Sequence, residues 1–459
     1  MRRPFVRASS FYYIDNLNLN DIILFTYNNS ILPCIPQGEN MKKISYICRF
    51  TTVILSLILS ISVPSQAQIL EDVKLKNIDL PDRDGVKLRD SNIVLHGAFR
   101  ATEDLETNIF LTKDKEKFDA ITSLNPSAGI EIPLGKHMLS ADYMPSIFLY
   151  GRYPDENHTD HLARGLFEIN FTDLKIRVLD IYRDYTDRAA DENSRRVGRQ
   201  ENNFKVNLGA QFNKLGFDVG YGNIINTYSQ KDDIVYRSIS YDDKDRVTNA
   251  VDGAVSYRVM PKTSIFLEGD LGFINYFNSS LPPDAYYVNA LLGVKGRPTN
   301  KIAANIKGGC KYQHFDKSDI FNDKPFFGFA ASGGVEFLQT KDDLWKFGLE
   351  SSVYESDYSN NNSYYGTLVD LRYSHKFNRK LSITPFGAYQ LNLYPSETTE
   401  GSVTAKRYDN YFNAGCSLKY DIKRWASAEV KYAFTCRSSK FSTFDYTDNK
   451  VTFNGTVGF

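Results

Sequence analysis

The 459 residues carry 55 basic and 55 acidic side chains, a formal net charge of +0, which argues against nucleic-acid binding through a general basic field. Aromatics reach 14%, led by 30 Tyr and 31 Phe, Cys and Met number five each, and mean hydropathy is −0.38. A helical membrane protein needs apolar runs of about 20 residues, and only one stretch, near the N-terminus, comes close to that.

In chain order, residues 1–40 fit no export signal and read as an upstream extension, with Met41 the expected initiator. From Met41-Lys42-Lys43 the chain enters the apolar run Thr52-Val53-Ile54-Leu55-Ser56-Leu57-Ile58-Leu59, then Pro64-Ser65-Gln66-Ala67. A positive start, a short apolar core and small residues at 65 and 67 predict a signal peptide over 41–67, cleaved after Ala67. The run is too short for an anchor, and no basic residue follows to stop transfer. Residues 68–90 form an N-terminal periplasmic segment, too short to plug a large lumen.

From about residue 91 onward, segments of two-residue period recur. Phe204, Val206, Leu208, Ala210 and Phe212 oppose Lys205, Asn207 and Gln211. Ile302, Ala304 and Ile306 oppose Asn305, Lys307 and Lys311, and Phe327, Phe329, Val335 and Phe337 oppose Ser332 and Glu336. Thr367, Val369, Leu371 and Tyr373 oppose Asp370, Arg372 and Ser374. Phe412 to Tyr420, Ala428 to Cys436 and Val451 to Phe459 repeat the pattern. Each match alone also fits a soluble sandwich, but repetition along the chain predicts one barrel.

The connections alternate too. Short turns at 133–136, 213–216, 261–263, 298–301, 340–343, 378–380 and 423–425 alternate with longer polar loops at 187–200, 230–245, 316–325 and 395–405. Short turns on one rim and long loops on the other are how bacterial barrels face periplasm and exterior. The fold class is therefore all-β, a transmembrane antiparallel up-and-down β-barrel of about eighteen strands over 91–459. An even count puts both termini in the periplasm. The last strand ends on Phe459, the aromatic end that outer-membrane barrels present to their assembly machinery, so Phe459 is a candidate assembly signal.

Barrels of roughly 16 to 18 strands leave room for an aqueous channel. The candidate lumen-lining residues are Lys205, Glu268, Asp270, Tyr287, Lys295, Lys307, Lys311, Glu336, Tyr354, Asp370, Arg372, Phe386, Lys419, Asp421, Glu429, Lys431 and Arg437. Their mixed charge reads first as pairing across strands that stiffens the wall, and second as a path for a hydrated solute, selected by width more than by charge sign.

Catalytic and metal signals are thin. No Gly-x-Ser-x-Gly elbow, phosphate loop or His-Glu-x-x-His occurs, so neither an enzyme nor a cofactor is expected. His158-Thr159-Asp160-His161 beside Glu156 is the best metal candidate, but a loop does not place i and i+3 on one face, and a solvated loop is expected. His375 beside Phe377 reads as part of a membrane-interface girdle. After Ala67 only Cys310, Cys416 and Cys436 remain, each on an apolar parity and expected to be a small lipid-facing residue. A Cys416–Cys436 bridge between neighbouring strands is the alternative.

Residues 91–459 resemble the family described as Putative beta-barrel porin 2. The resemblance rests on Glu106-Thr107-Asn108-Ile109-Phe110 after the first strand, Phe118-Asp119-Ala120-Ile121-Thr122, Ile130-Glu131-Ile132-Pro133-Leu134-Gly135, Ala141-Asp142-Tyr143 and Leu149-Tyr150. Thr107 departs from the pattern, where a second acidic residue is commoner. The resemblance implies an eighteen-stranded outer-membrane porin that passes secreted polysaccharide with a periplasmic export partner, and it brings no catalytic residues.

Three functions are weighed: a pore for exopolysaccharide export, a general diffusion porin for small hydrophilic solutes, and a secreted β-sandwich adhesin or carbohydrate-binding protein. The first expects lumen aromatics such as Tyr287, Tyr354 and Phe386, on which sugar faces stack. The expected surroundings are the bacterial outer membrane, its lipid and lipopolysaccharide, and the barrel-assembly machinery, with no nucleic acid.

Overall fold

A computed structural model describes residues 85–88, 91–188, 196–229, 234–236, 239–277, 283–316, 325–356, 358, 361 and 363–459. The extension over 1–40, the leader over 41–67 and most of 68–90 lie outside the described residues.

Eighteen strands follow one another around a single wall. The first six are β1 Val94–Glu106, β2 Asp119–Leu134, β3 His137–Tyr150, β4 His158–Asn170, β5 Leu174–Arg188 and β6 Arg196–Phe212. Next come β7 Leu215–Tyr228, β8 Arg246–Met260, β9 Thr263–Tyr276, β10 Ala285–Gly296, β11 Ile302–Phe315 and β12 Phe326–Leu338. The last six are β13 Asp343–Glu355, β14 Ser363–Lys376, β15 Leu381–Glu400, β16 Val403–Lys423, β17 Ala426–Ser439 and β18 Tyr446–Gly458. All neighbours are antiparallel, and β1 pairs with β18 from Ala98↔Gly458 to Glu106↔Lys450, which closes the sheet. Closure leaves no free edge, the condition for a sheet to stand in lipid.

Side-chain parity is carried around the ladder. Phe99 faces Val457, Leu208 faces Val219, and Val251 faces Leu271, all outward. Outward apolar residues such as Leu267, Leu292 and Phe329 are 57–59% exposed in the isolated chain. No second sheet covers them among the described residues, so the sandwich reading fails. Among the described residues the one other sheet is the small pairing of Ile234–Tyr236 with Ile239–Ser240.

Aromatic side chains border this apolar band. Near the short turns, Phe171, Phe212, Phe377 and Trp425 stand exposed, Trp345 lies 4.5 Å from Tyr373, and His375 packs against Phe377. Toward the other rim, outward tyrosines pair with outward amides. Tyr221, Tyr389 and Tyr432 donate to Asn249, Asn410 and Asn449 at 2.6–2.8 Å. An amide is costly against hydrocarbon unless hydrogen-bonded, and the phenol supplies that bond at the interface. Outward acids are similarly answered: Glu103 accepts from Thr122, Asp180 from Asn202 and Asp184 from Gln200.

Eight connections of two to five residues lie on one rim, the periplasmic side of such barrels. The tightest rely on left-handed backbone, at Gly135 (φ 66) and Asn213 (φ 49). On the other rim the connections are longer, with one exception. Residues 395–405 are strand rather than loop, for β15 and β16 extend to Glu400 and Val403 around a turn at Gly401 and Ser402. Thr398, Thr399 and Thr404 have the β-branched form a ladder favours, whatever the polarity of the stretch. His158 and His161 also lie in a strand, not a loop, and on opposite faces. His158 stacks on inward Phe148, and His161 on outward Tyr143. They cannot share an ion, and no group of metal-ligating side chains occurs among the described residues. Cys310, Cys416 and Cys436 are free, and the register sets Cys416 against Tyr432 and Cys436 against Phe412, so a Cys416–Cys436 bridge is ruled out.

At the seam, Gly97 N donates to Phe459 O (3.1 Å) and Phe459 N to Gly97 O (2.8 Å). The Phe459 ring lies over Gly97, 2.5 Å from where a Cβ would stand. Val86–Lys87 pairs with Leu95 and Val94 beside this closure.

Candidate functional site: the lumen wall and its mouth

Polar side chains alternate with the outward band and so face inward. All seventeen sequence candidates fall on this parity, but their settings differ. Lys205 pairs with Asp252 at 2.9 Å, Lys307 with Glu268 at 2.8 Å and Lys346 with Glu336 at 2.6 Å. The first two pairs reach over an intervening strand, and in the first the Asp252 carboxylate lies over Gly220 of that strand. Two further pairs form along one strand, Arg372 with Asp370 at 3.7 Å and Lys419 with Asp421 at 3.1 Å. Asp270 accepts from Asn289, while Tyr354 donates to Glu350 and stacks on Tyr364. Glu429 stands beside Lys419 in the ladder.

Besides Tyr354 over Gly366, three inward rings reach over a glycine of the neighbouring strand. Phe266 covers Gly293, Tyr287 covers Gly272 and Phe386 covers Gly415. Each ring also holds an ammonium over its face: Lys295 at 5.5 Å, Lys311 at 3.9 Å and Lys431 at 4.9 Å from the centroid.

The mouth is built by the long loops, where apolar groups have neither lipid nor a continuous core to enter. They gather in small clusters: Ile109 with Ile121 and Tyr150, and Val197 with Tyr228 and Tyr241. One staple recurs. The residue just before a returning strand accepts the N–H of the last residue of the outgoing strand. Asn157 does so for Tyr150, Asp245 for Tyr228, Asp284 for Tyr276 and Asp445 for Ser439. Burial pushes the Asp445 carboxyl up, opposed by the N–H of Ser439. Asn157 fills the same role without charge, so Asp445→Asn is expected to be neutral. Asp445→Ala should cost about 1 kcal/mol, read as a shift in the urea midpoint, and equal midpoints for the two variants would refute the staple.

Sequence reasoning passed over the deepest polar group. Arg407 and its partner Asp409 have fully buried side chains, 2.6 Å apart. The guanidinium lies against Tyr358, Tyr394 and Phe444 at 4.3, 4.7 and 3.9 Å, and Ser439 donates to Asp409 at 2.6 Å. Tyr358 in turn donates to Glu400, and burial raises its phenol. Arg437, a sequence candidate, belongs to the same assembly, donating to Phe444 O and Tyr411. Arg407-x-Asp409 on one parity was visible in the sequence, but its aromatic enclosure comes from three separate segments.

The chain is thus a closed eighteen-strand wall with an apolar exterior and a charged interior. The family model described as Putative beta-barrel porin 2 matches residues 92–459. The chain belongs to this family. The porin therefore sits in the outer membrane, and its family and fold are those of channels. It is similar in fold to OpdK of Pseudomonas aeruginosa, solved with vanillate, at 10% identity and TM-score 0.46, covering 80% of this chain and 99% of that one. OccAB4 of Acinetobacter baumannii gives 12% and 0.46, covering 80% and 98%. A BenF-like porin from Pseudomonas fluorescens Pf-5 gives 11% and 0.45, covering 81% and 100%. None of the curated proteins matches the chain.

Proposed function

We propose that this porin is an aqueous pore through which a secreted polysaccharide leaves the cell. The observation that carries the reading is the inward face, whose charges mostly neutralise one another in pairs while aromatic rings stand among them over glycines of neighbouring strands. Such a wall admits by width and offers the half-buried Tyr354 and Phe386 rings to sugars. In this reading a periplasmic export partner meets the short-turn rim, and the assembly machinery reads the strand ending at Phe459. Reconstitution in planar bilayers tests it: the porin should conduct, and polysaccharide fragments should interrupt the current. A conducting channel indifferent to saccharides would favour general diffusion of small solutes, and a non-conducting one would overturn both. If paired charges set the neutral field, Glu268→Gln leaves Lys307 unanswered and should raise the anion-to-cation permeability ratio about twofold. An unchanged reversal potential in a salt gradient would count against that pairing.

A further inference from the structure

The three ring-and-lysine pairs in the lumen differ in access. Phe266 is 4% exposed and Lys311 1%, so two are closed. At the third, Phe386 and Lys431 are half-buried. Arg372, the ladder partner of Phe386, has a side chain 42% exposed. Lys431 has no carboxylate within 4 Å among the described residues, and the acid near Arg372 is Asp370, at 3.7 Å from Nε. The charged groups acting on Lys431 are Glu429, Arg372, Lys450 and Asp104. Of these, Lys450 is paired with Glu106, and Asp104 accepts from Thr452. Two cations thus stand beside one accessible ring, with Asp370 near Arg372 and Glu429 acting on Lys431. Like charges placed together are costly until an anion joins them.

We propose that Phe386, Lys431 and Arg372 form a subsite for a carboxylated sugar ring, an inference that rests on the polysaccharide reading above. The apolar C–H face of the pyranose packs on the half-buried Phe386 ring beside the Lys431 ammonium, the ring tip being seated over Gly415. The carboxylate accepts from the Lys431 ammonium and the Arg372 guanidinium, the charge-assisted bonds for which those groups are suited. A neutral sugar gains the stacking alone.

The test is current blockade in planar bilayers at low salt, with trigalacturonate as the acidic probe and maltotriose as the neutral one. Trigalacturonate should block the unaltered porin at about tenfold lower concentration than maltotriose. Lys431→Gln or Arg372→Gln should each remove about that tenfold advantage while leaving maltotriose unchanged. Phe386→Ala should weaken both probes, and Lys341→Gln, on an exposed turn, should alter neither. A heat-modifiable gel shift identifies variants that fail to fold, and the two-probe comparison on the unaltered protein does not depend on them. Equal blockade by both probes, or an acidic preference that survives both charge substitutions, overturns the subsite alone. A conducting channel blocked by neither probe overturns the polysaccharide reading and the subsite together.

Discussion

Substituting alanine for Gly309 is expected to destabilise the barrel by about 3 kcal/mol, although it adds a single methyl group. A Cβ there would fall inside the contact distance of Ala290 O and 2.9 Å from Leu291 Cα, both backbone of the adjacent strand β10. No rotamer change relieves a collision with main chain, so the two strands must separate and the ladder hydrogen bonds around Ala290↔Cys310 must lengthen. Gly165→Ala is the matched control. It also lies in a strand of the wall, but nothing stands within 4 Å of its Cβ position, and the lower entropy of the unfolded chain should make it neutral or stabilising by about 0.5 kcal/mol. Urea titration of the detergent-folded protein, with the boiled and unboiled gel shift as a second readout, measures both. Coincident midpoints for the two variants would sink the argument.

The second large effect is expected at the mouth. Arg407→Ala leaves the Asp409 carboxylate buried with Ser439 as a hydrogen-bond donor but without its cation, a change that costs about 3–5 kcal/mol. It also empties the space between Tyr358, Tyr394 and Phe444, which belong to three separate segments of the rim. Because the transmembrane wall does not depend on these contacts, the loss should appear as loosening of the mouth. Limited proteolysis of the folded protein should cleave near 358 and 444 at least tenfold faster than in the parent, while the gel shift persists. The double substitution Arg407→Met with Asp409→Leu, apolar at both positions, should recover most of the protection, since removing a buried pair together is far cheaper than removing half of it. Cleavage of Arg407→Ala at the parent rate would show that this enclosure does not hold the loops.

Much of the fold could be read from the residues because lipid and water impose opposite demands on the two faces of one sheet. Val451, Phe453 and Val457 alternate with Thr452, Asn454 and Thr456 for that reason, and the same alternation recurs in most strands of the wall. The lumen parity of Lys205, Glu268 and Lys307 follows from the alternation alone. Which acid answers which lysine does not. Lys205 reaches Asp252 over β7 and Lys307 reaches Glu268 over β10, so each choice depends on ladder register. Composition misled at 395–405, where Thr and Glu suggested a loop and the β-branched threonines extended a hairpin. It misled again at His158 and His161, where strand geometry sends the two rings to opposite sides of the wall.

By itself, the sequence determined the class of protein: a two-residue period sustained between alternating short and long connections suits a cylinder with lipid outside and water within. Tertiary structure alone decided the closing register of β1 on β18, the seating of Phe386 over Gly415 and the enclosure of Arg407 by distant rings. Period depends on each residue's own solvent and is therefore written locally. Register and enclosure depend on which distant segments meet, and no local pattern encodes that.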